Sequence, residues 1–145
     1  MDKNILNEKN ITLNASFSSK EDAIKQTGQI LVENGHVEAS YIEKMLEREE
    51  LTSTYMGNFV AIPHGTEDAK KMVLNSGLSI VQVPNGVDFG SGNIVKVLIG
   101  IAGKGNEHLD ILSKIAILCS EEENINKILQ ASSESEMLSL FNEVN

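Results

Sequence analysis

The imidazole of His64 is the group in this sequence whose surroundings best suit chemistry near neutral pH. His64 follows the short apolar run Phe59 to Ile62 and Pro63, and it precedes Gly65. A strand end followed by a small residue would hold the imidazole on a rigid element and leave it accessible to a partner. Neutral imidazole is a good nucleophile near pH 7. On these residues alone, His64 is either a functional group or an ordinary turn histidine.

A second histidine, His108, follows the glycine-containing segment that begins at Gly103. Asn106 is suited to be the N-cap of a helix, which would put His108 in the first helical turn. Free N–H groups make such a turn attractive to anions, and the same field disfavours an imidazolium. His108 therefore fits either a neutral group at an anion site or a surface residue of that turn.

Arg48 is the only arginine among the 12 basic residues of the chain. Its planar guanidinium can bind a phosphate or carboxylate through two parallel hydrogen bonds, which a lysine cannot do. The alternative is a solvated arginine in the last turn of a helix, where a positive charge is favourable. The residue pattern leaves both interpretations open.

The remaining reactive side chains fit structural roles better. Cys119 lies on an apolar helix face and is predicted to be part of the core, and His36 is predicted to be a solvated turn residue beside Gly35. A zinc site would need more ligands than His64 and His108 supply. Neither the Walker spacing nor a G-x-S-x-G nucleophile motif is present.

Hydrophobic spacing predicts the elements that would position these residues. The predicted fold is a three-layer α/β/α sandwich with a mixed sheet of four or five strands, in the order strand, two helices, three strands, three helices. Ser18 and Glu21 form a predicted capping box. The segment 51–58 is predicted to be irregular, and a turn is predicted at 84–86. The predicted strands are 11–13, 59–62, 78–83 and 95–101, and the helices begin near 18, before 42, and near 106, 120 and 133.

Length and composition limit the class of protein. The chain has 145 residues with 41% hydrophobic and 23% charged, which fits one globular domain over 1–145. A net charge of −9 without a basic tail argues against nucleic-acid binding. No apolar run is long enough for a membrane helix, and the polar start does not resemble a secretory signal. With its single cysteine, the sequence favours the cytoplasm.

The stretch from Thr54 to Thr66 reads TYMGNFVAIPHGT. It resembles the active-site segment of enzyme IIA components of the bacterial phosphoenolpyruvate-dependent sugar phosphotransferase system, in the mannitol/fructose class and nearest to its mannitol-specific branch. Arg48 before it and two later segments extend the resemblance over essentially the whole chain. These segments are SIVQVPNGVDFG at 79–90 and VKVLIGIAGKGNEHLDIL at 95–112.

The resemblance implies a phosphoryl carrier. A histidine of this family accepts a phosphoryl group from the phosphocarrier HPr and passes it to a cysteine of the sugar-specific IIB component. Carried over by motif, His64 is the acceptor on Nε2, His108 is the second active-site histidine, and Arg48 lies near the phosphoryl group. No cofactor or metal is implied, and neither is direct contact with nucleic acid, the membrane or the sugar.

Two other functional classes remain open at this stage. The nitrogen-related relatives of the family keep the phosphorylatable histidine but act by binding other proteins, so a regulatory module is the first alternative. A phosphate-binding domain without turnover is the second. The TYMGN and NEHL segments favour a carrier for mannitol uptake, and the role of Asn58 stays undecided because family members vary at that position.

Overall fold

The computed structural model describes residues 4–142, so the three residues at each end of the predicted 1–145 domain lie outside the described residues. Its centre is a five-stranded mixed sheet in the spatial order β1-β4-β5-β3-β2. The strands are Ile11–Thr12 (β1), Tyr55–Gly57 (β2), Val60–Ala61 (β3), Gly77–Asp88 (β4) and Ile94–Ala102 (β5). The helices are Lys20–Glu33 (α1), Tyr41–Leu51 (α2), Glu107–Cys119 (α3), Glu122–Gln130 (α4) and Glu134–Asn142 (α5), with 3₁₀ turns at Glu8–Asn10 and Glu67–Met72.

Helices cover both faces of the sheet, which confirms the predicted three layers. Helices α1 and α2 share one buried cluster with the sheet, and α3, α4 and α5 share the other. Neighbouring residues of β5 divide between the two clusters: Leu98 lies in the first and Ile99 in the second. Because successive strand side chains point to opposite faces, a strand covered on both sides must be apolar at nearly every position. The near-continuous apolar run of β5 therefore follows from its central place.

The prediction of three strands after the first two helices was wrong, because the structure has four. The additional strand is β2, inside the segment predicted to be irregular, and it pairs antiparallel with β3. The two residues between them, Asn58 and Phe59, have φ values of 52° and 69°. Such left-handed residues form the tight turns that match the twist of a hairpin. A strand of three residues is too short to show an alternating pattern in the sequence.

The expected turn at 84–86 was also wrong, since β4 continues through it to Asp88. The pairing register with β5 shifts between Gln82 and Val87, which brackets Pro84. A proline cannot donate a ladder hydrogen bond, and an irregularity is where a strand tolerates one. The helix start was wrong by one residue: the Ser19 hydroxyl, not that of Ser18, accepts the first-turn hydrogen bond.

His36 is buried, with 4% of its surface exposed, so the prediction of a solvated turn residue was wrong. The side-chain amide of Asn10 donates to the Leu78 carbonyl (2.8 Å) and lies 3.0 Å from Nε2 of His36. Because this amide group is a donor, Nε2 must accept, and the imidazole is neutral. Burial lowers the pKa of His36, and the backbone at Asn75 and Ser76 partly opposes that shift.

This arrangement predicts that acid destabilises the protein. The pKa of His36 in the folded state lies below its ordinary value of 6.5. The stabilising contribution is therefore complete above about pH 6.5 and is lost as the pH falls through the folded-state pKa. We expect the free energy of unfolding, measured by urea titration between about pH 7.5 and pH 5.5, to fall as the pH is lowered below about 6.5.

The variant His36→Gln isolates this effect from that of the other histidines. Its free energy of unfolding should change less over the same pH interval than that of the wild type, whatever its absolute stability. Equal pH dependence in the two proteins would contradict the assignment.

Candidate active site

Side chains from three different segments line one cavity of about 590 Å³. They are Arg48 from the last turn of α2, His64 after β3, and His108 from the first turn of α3. All three residues selected from the sequence thus come together in the structure. A second cavity of about 620 Å³ lies between α1 and α2, and none of the three residues lines it.

His64 occupies the carboxyl end of β3, where the chain leaves the sheet. Strand β3 runs parallel to β5, and the Ile101 N–H donates to the Pro63 carbonyl (2.9 Å). His64 itself forms a last isolated bridge with Ile101. The rigid central strand therefore fixes the backbone on which the imidazole is carried, as the strand-end pattern predicts.

The hydrogen bonding of His64 selects its tautomer. Nδ1 lies 2.7 Å from the backbone carbonyl oxygen of Ile62. A carbonyl oxygen only accepts, so Nδ1 carries the proton of the neutral ring. Nε2 is then the nitrogen with an available lone pair.

The first turn of α3 brings His108 to His64. The two ring centroids are 5.5 Å apart, with the planes tilted by 55°. This approach depends on Gly103, because a Cβ there would lie 2.2 Å from Cα of His108. The Ser76 hydroxyl also fixes this turn: it accepts from the Lys104 N–H (2.9 Å) and donates to the Glu107 carboxylate (2.8 Å). No side-chain capping bond from the predicted N-cap is present among the described residues.

The position of Arg48 is compatible with both interpretations that the sequence left open. Its Nη1 donates to the carbonyl of Thr52 (2.7 Å), which satisfies an acceptor just after the end of α2. The same side chain lines the cavity, and its charge lowers the pKa of His64. A guanidinium has five N–H donors, so this one bond leaves most of its hydrogen-bonding capacity for an anion.

Both histidines of the cavity favour the neutral form. Burial is the main cause that lowers the pKa of His64, and the positive charge of Arg48 adds to it. The carbonyl of Ile62 and the charge of Glu49 oppose that shift. Burial also lowers the pKa of His108, with further contributions from His64 and Lys70. The site therefore presents an uncharged imidazole beside the positive charge of Arg48.

Glu49 is a buried acid that the sequence interpretation missed. It is 5% exposed, and its Oε1 accepts from both the N–H (2.9 Å) and the hydroxyl (2.6 Å) of Thr54. Lys20 places its Nζ 3.6 Å from Oε2. In the sequence Glu49 stands in the acidic run with Glu50, and nothing in that run distinguishes the buried carboxylate from a solvated one.

Two exposed leucines border the cavity. Leu51 is 72% exposed and Leu109 is 69% exposed, although both are large apolar side chains. Leu51 is the last residue of α2, which carries Arg48, and Leu109 follows His108 directly in α3. His64 thus lines a cavity with exposed apolar side chains at its border, which suits contact with another protein.

Other kinds of site find little support in the described part of the chain. Cys119 is 3% exposed and burial raises the pKa of its thiol to about 12, which confirms its place in the core. Residues 4–142 contain no group of three side chains arranged to hold a metal ion. Within the same residues, every helix is too short or too polar to cross a bilayer.

A family model described as phosphoenolpyruvate-dependent sugar phosphotransferase system, EIIA 2, matches residues 4–144. The chain belongs to this family. A mannitol-specific phosphotransferase enzyme IIA component of Geobacillus stearothermophilus is 67% identical over 141 residues, which are 97% of each chain. The resemblance drawn from the TYMGNFVAIPHGT segment is thereby confirmed.

Two solved structures of EIIA proteins share the fold. The crystal structure of IIA mannitol from Escherichia coli has a TM-score of 0.87 at 39% identity, over 94% of this chain and 98% of that one. The second is an NMR structure of the complex between enzyme IIA mannitol and phosphorylated enzyme IIB mannitol from Escherichia coli. It has a TM-score of 0.87 at 36% identity, over 95% and 97% of the two chains. The mixed α/β sandwich of this chain is therefore that of the EIIA mannitol structures.

Proposed function

We propose that this chain, acting as one domain over residues 1–145 in the cytoplasm, is a phosphoryl carrier for mannitol uptake. Nε2 of His64 accepts a phosphoryl group from the phosphohistidine of HPr and passes it to a cysteine of the mannitol IIB component. The observation that carries the proposal is the hydrogen bond from Nδ1 of His64 to the Ile62 carbonyl, inside a cavity shared with Arg48 and His108. The choice of mannitol as the sugar rests on the names of the relatives.

Each transfer exchanges one bond to phosphorus for another. In the first, the Nε2 lone pair attacks phosphorus while the P–N bond to the HPr histidine breaks. In the second, the cysteine thiolate attacks, the P–N bond to His64 breaks, and Nε2 recovers its lone pair. Nδ1 keeps its proton throughout. As positive character develops on the ring, the Ile62 carbonyl and the Glu49 charge stabilise it, because both already raise the pKa of His64.

The negative charge on the transferred phosphoryl group is best stabilised by hydrogen-bond donors that are in place before the reaction begins. Phosphoryl transfer depends mainly on positioning and on stabilising the equatorial oxygens. Arg48 supplies a planar guanidinium, and His108 supplies an N–H from a ring 5.5 Å from His64. Because His108 is neutral, it can donate a hydrogen bond without adding a second positive charge that would lower the nucleophilicity of His64 further.

The accessible border explains how one site serves two protein partners. Leu51 and Leu109 present exposed apolar surface at the cavity, and the chain itself is acidic overall. We place HPr and the IIB component on this same border in turn. The relative solved together with phosphorylated IIB supports such a contact. The sugar need not touch this chain in either step.

A phosphoryl-relay assay tests the proposal. Phosphoenolpyruvate, enzyme I and HPr are mixed with the chain and with purified IIB domains of the mannitol and fructose transporters. We expect rapid labelling of the chain and faster onward transfer to the mannitol IIB. Labelling without transfer to any IIB would favour the alternative of a regulatory module that acts by phosphorylation-dependent protein binding. No labelling at all would contradict both.

His108 should support the transfer without being the acceptor. We expect His108→Ala to be phosphorylated on His64 but to transfer more slowly in single-turnover measurements, by up to about a hundredfold, since removal of a preorganised donor has a cost of this order. His108→Gln retains an N–H donor and should recover part of the rate. Wild-type rates in the alanine variant would remove His108 from the mechanism. Complete failure to label would mean that His108 forms the site or is itself the acceptor.

A further inference from the structure

We propose that Tyr41 is a positioning residue for phosphoryl transfer, whose hydroxyl group holds the backbone at His64 and Gly65 at a fixed spacing from β5. The inference rests on the function proposed above. Tyr41 is the first residue of α2, and 3% of its surface is exposed. Tyr41 is shielded from solvent and does not itself line the cavity that contains His64. Its effect must therefore act through the backbone that carries His64.

The hydroxyl of Tyr41 lies where the sheet pairing of His64 ends. In a parallel pair, the bridge between His64 and Ile101 would continue with a hydrogen bond from the Gly65 N–H to the Ile101 carbonyl. Here the Gly65 N–H donates to the Tyr41 hydroxyl (2.9 Å), and that hydroxyl donates to the Ile101 carbonyl (3.0 Å). One oxygen thus connects the two backbone groups and sets the distance between them.

The ring of Tyr41 packs closely against the backbone of Gly65. A Cβ on Gly65 would lie 2.6 Å from Cε1 of the ring, so only glycine permits this contact. Since the partly buried Gly65 N–H and the buried Ile101 carbonyl both bond to the same phenol, the chain has little freedom to shift at this point. The residue that follows the nucleophile is therefore held by packing and by hydrogen bonding together.

Tyr41 also lies near the two residues that we propose to assist His64, namely Arg48 and His108. Arg48 lies two turns after Tyr41 on α2, on the same face and roughly 10 Å further along the axis. On the other side, a small cavity is lined by Tyr41, Gly65 and His108. A movement of the Tyr41 contact would thus change the distance of His64 from both groups that stabilise the phosphoryl oxygens.

The variant Tyr41→Phe tests this role, because it keeps the ring and removes only the hydroxyl. We expect the single-turnover rate constant for transfer from phospho-HPr to fall about tenfold, as for a misplaced reacting group. The concentration of phospho-HPr at half-saturation should stay the same, since Tyr41 is buried away from the docking border. Nitrogen-15 NMR should show a changed Nδ1–H resonance of His64.

The other tyrosine of the chain provides the matched control. Tyr55 is half-buried on β2, and Tyr55→Phe should leave the rate constant and the His64 resonance unchanged. An unaltered His64 resonance in Tyr41→Phe would overturn the proposal, and so would an altered resonance with a wild-type rate constant. If Tyr41→Phe does not fold, 4-aminophenylalanine at position 41 keeps the ring and a donor, and the same two measurements decide.

The two readouts also separate this inference from the proposed function. A wild-type chain that accepts no phosphoryl group from phospho-HPr would contradict the carrier function. The NMR comparison of the wild type with Tyr41→Phe needs no partner protein, so it still shows whether the hydroxyl sets the environment of His64.

Discussion

His64→Ala should accept no phosphoryl group from phospho-HPr while it remains folded. The substitution removes the nucleophilic Nε2, and no other histidine can replace it. His36 is buried, and its Nε2 is engaged by Asn10. His108 is rigidly placed as a neighbour of the reaction centre, at a 5.5 Å ring separation, and not at the position of the nucleophile. Stability should change little, because the only hydrogen bond lost is a local one to Ile62.

Radioactive transfer from phosphoenolpyruvate through enzyme I and HPr measures this loss. The wild-type label should be acid-labile and base-stable, as a phosphohistidine is, and should map to the peptide that contains His64. His108→Ala is the matched control, since it removes a neighbouring imidazole but leaves the acceptor. A label that persists in His64→Ala, or that maps to His36 or His108 in the wild type, would show that the acceptor has been misassigned.

Local sequence patterns selected His64 as a candidate but did not select the residues that hold it in place. The apolar run ending at Pro63 places His64 at a strand end whatever the rest of the chain does. Tyr41 and Glu49 are buried on α2 through hydrogen bonds to Ile101 and Thr54, which no local pattern encodes. In the sequence Glu49 cannot be distinguished from its exposed neighbour Glu50. Only the folded structure shows that Thr54 donates two hydrogen bonds to the Glu49 carboxylate.

The same distinction explains which parts of the fold were predicted. Strand β5 was predicted nearly to its ends, because a strand covered on both faces must be apolar throughout. Strand β2 was missed because its three residues are ordered by pairing with β3 and not by their own pattern. The burial of His36 was not predicted, because it depends on Asn10 and Leu78, which come from two distant segments.

Arg48→Ala should slow phosphoryl transfer to His64 by roughly 100-fold or more, the cost typical of removing a preorganised donor to developing negative charge. The transfer rate of Arg48→Lys should lie between those of the wild type and Arg48→Ala. The lysine keeps the charge but loses the planar guanidinium that binds two oxygens at once. Single-turnover transfer from phospho-HPr gives the rates. The alanine variant should also raise the pKa of His64, since the charge of Arg48 lowers it in the wild type. An NMR titration of the imidazole measures that second effect without any partner protein.

Two simpler explanations of a slow Arg48→Ala variant can be separated by controls. Loss of the bond to the Thr52 carbonyl could fray the end of α2, so urea titration must show that the variant is folded under the assay conditions. The extra negative charge could weaken encounter with HPr, and Lys25→Ala makes the same charge change on α1, at a residue that lines the other cavity. Lys25→Ala should transfer at the wild-type rate. If Arg48→Ala does so too, the role of Arg48 is confined to the end of its helix. If it is slow while Lys25→Ala is not, and the pKa of His64 rises, the guanidinium acts on the phosphoryl group and on its acceptor together.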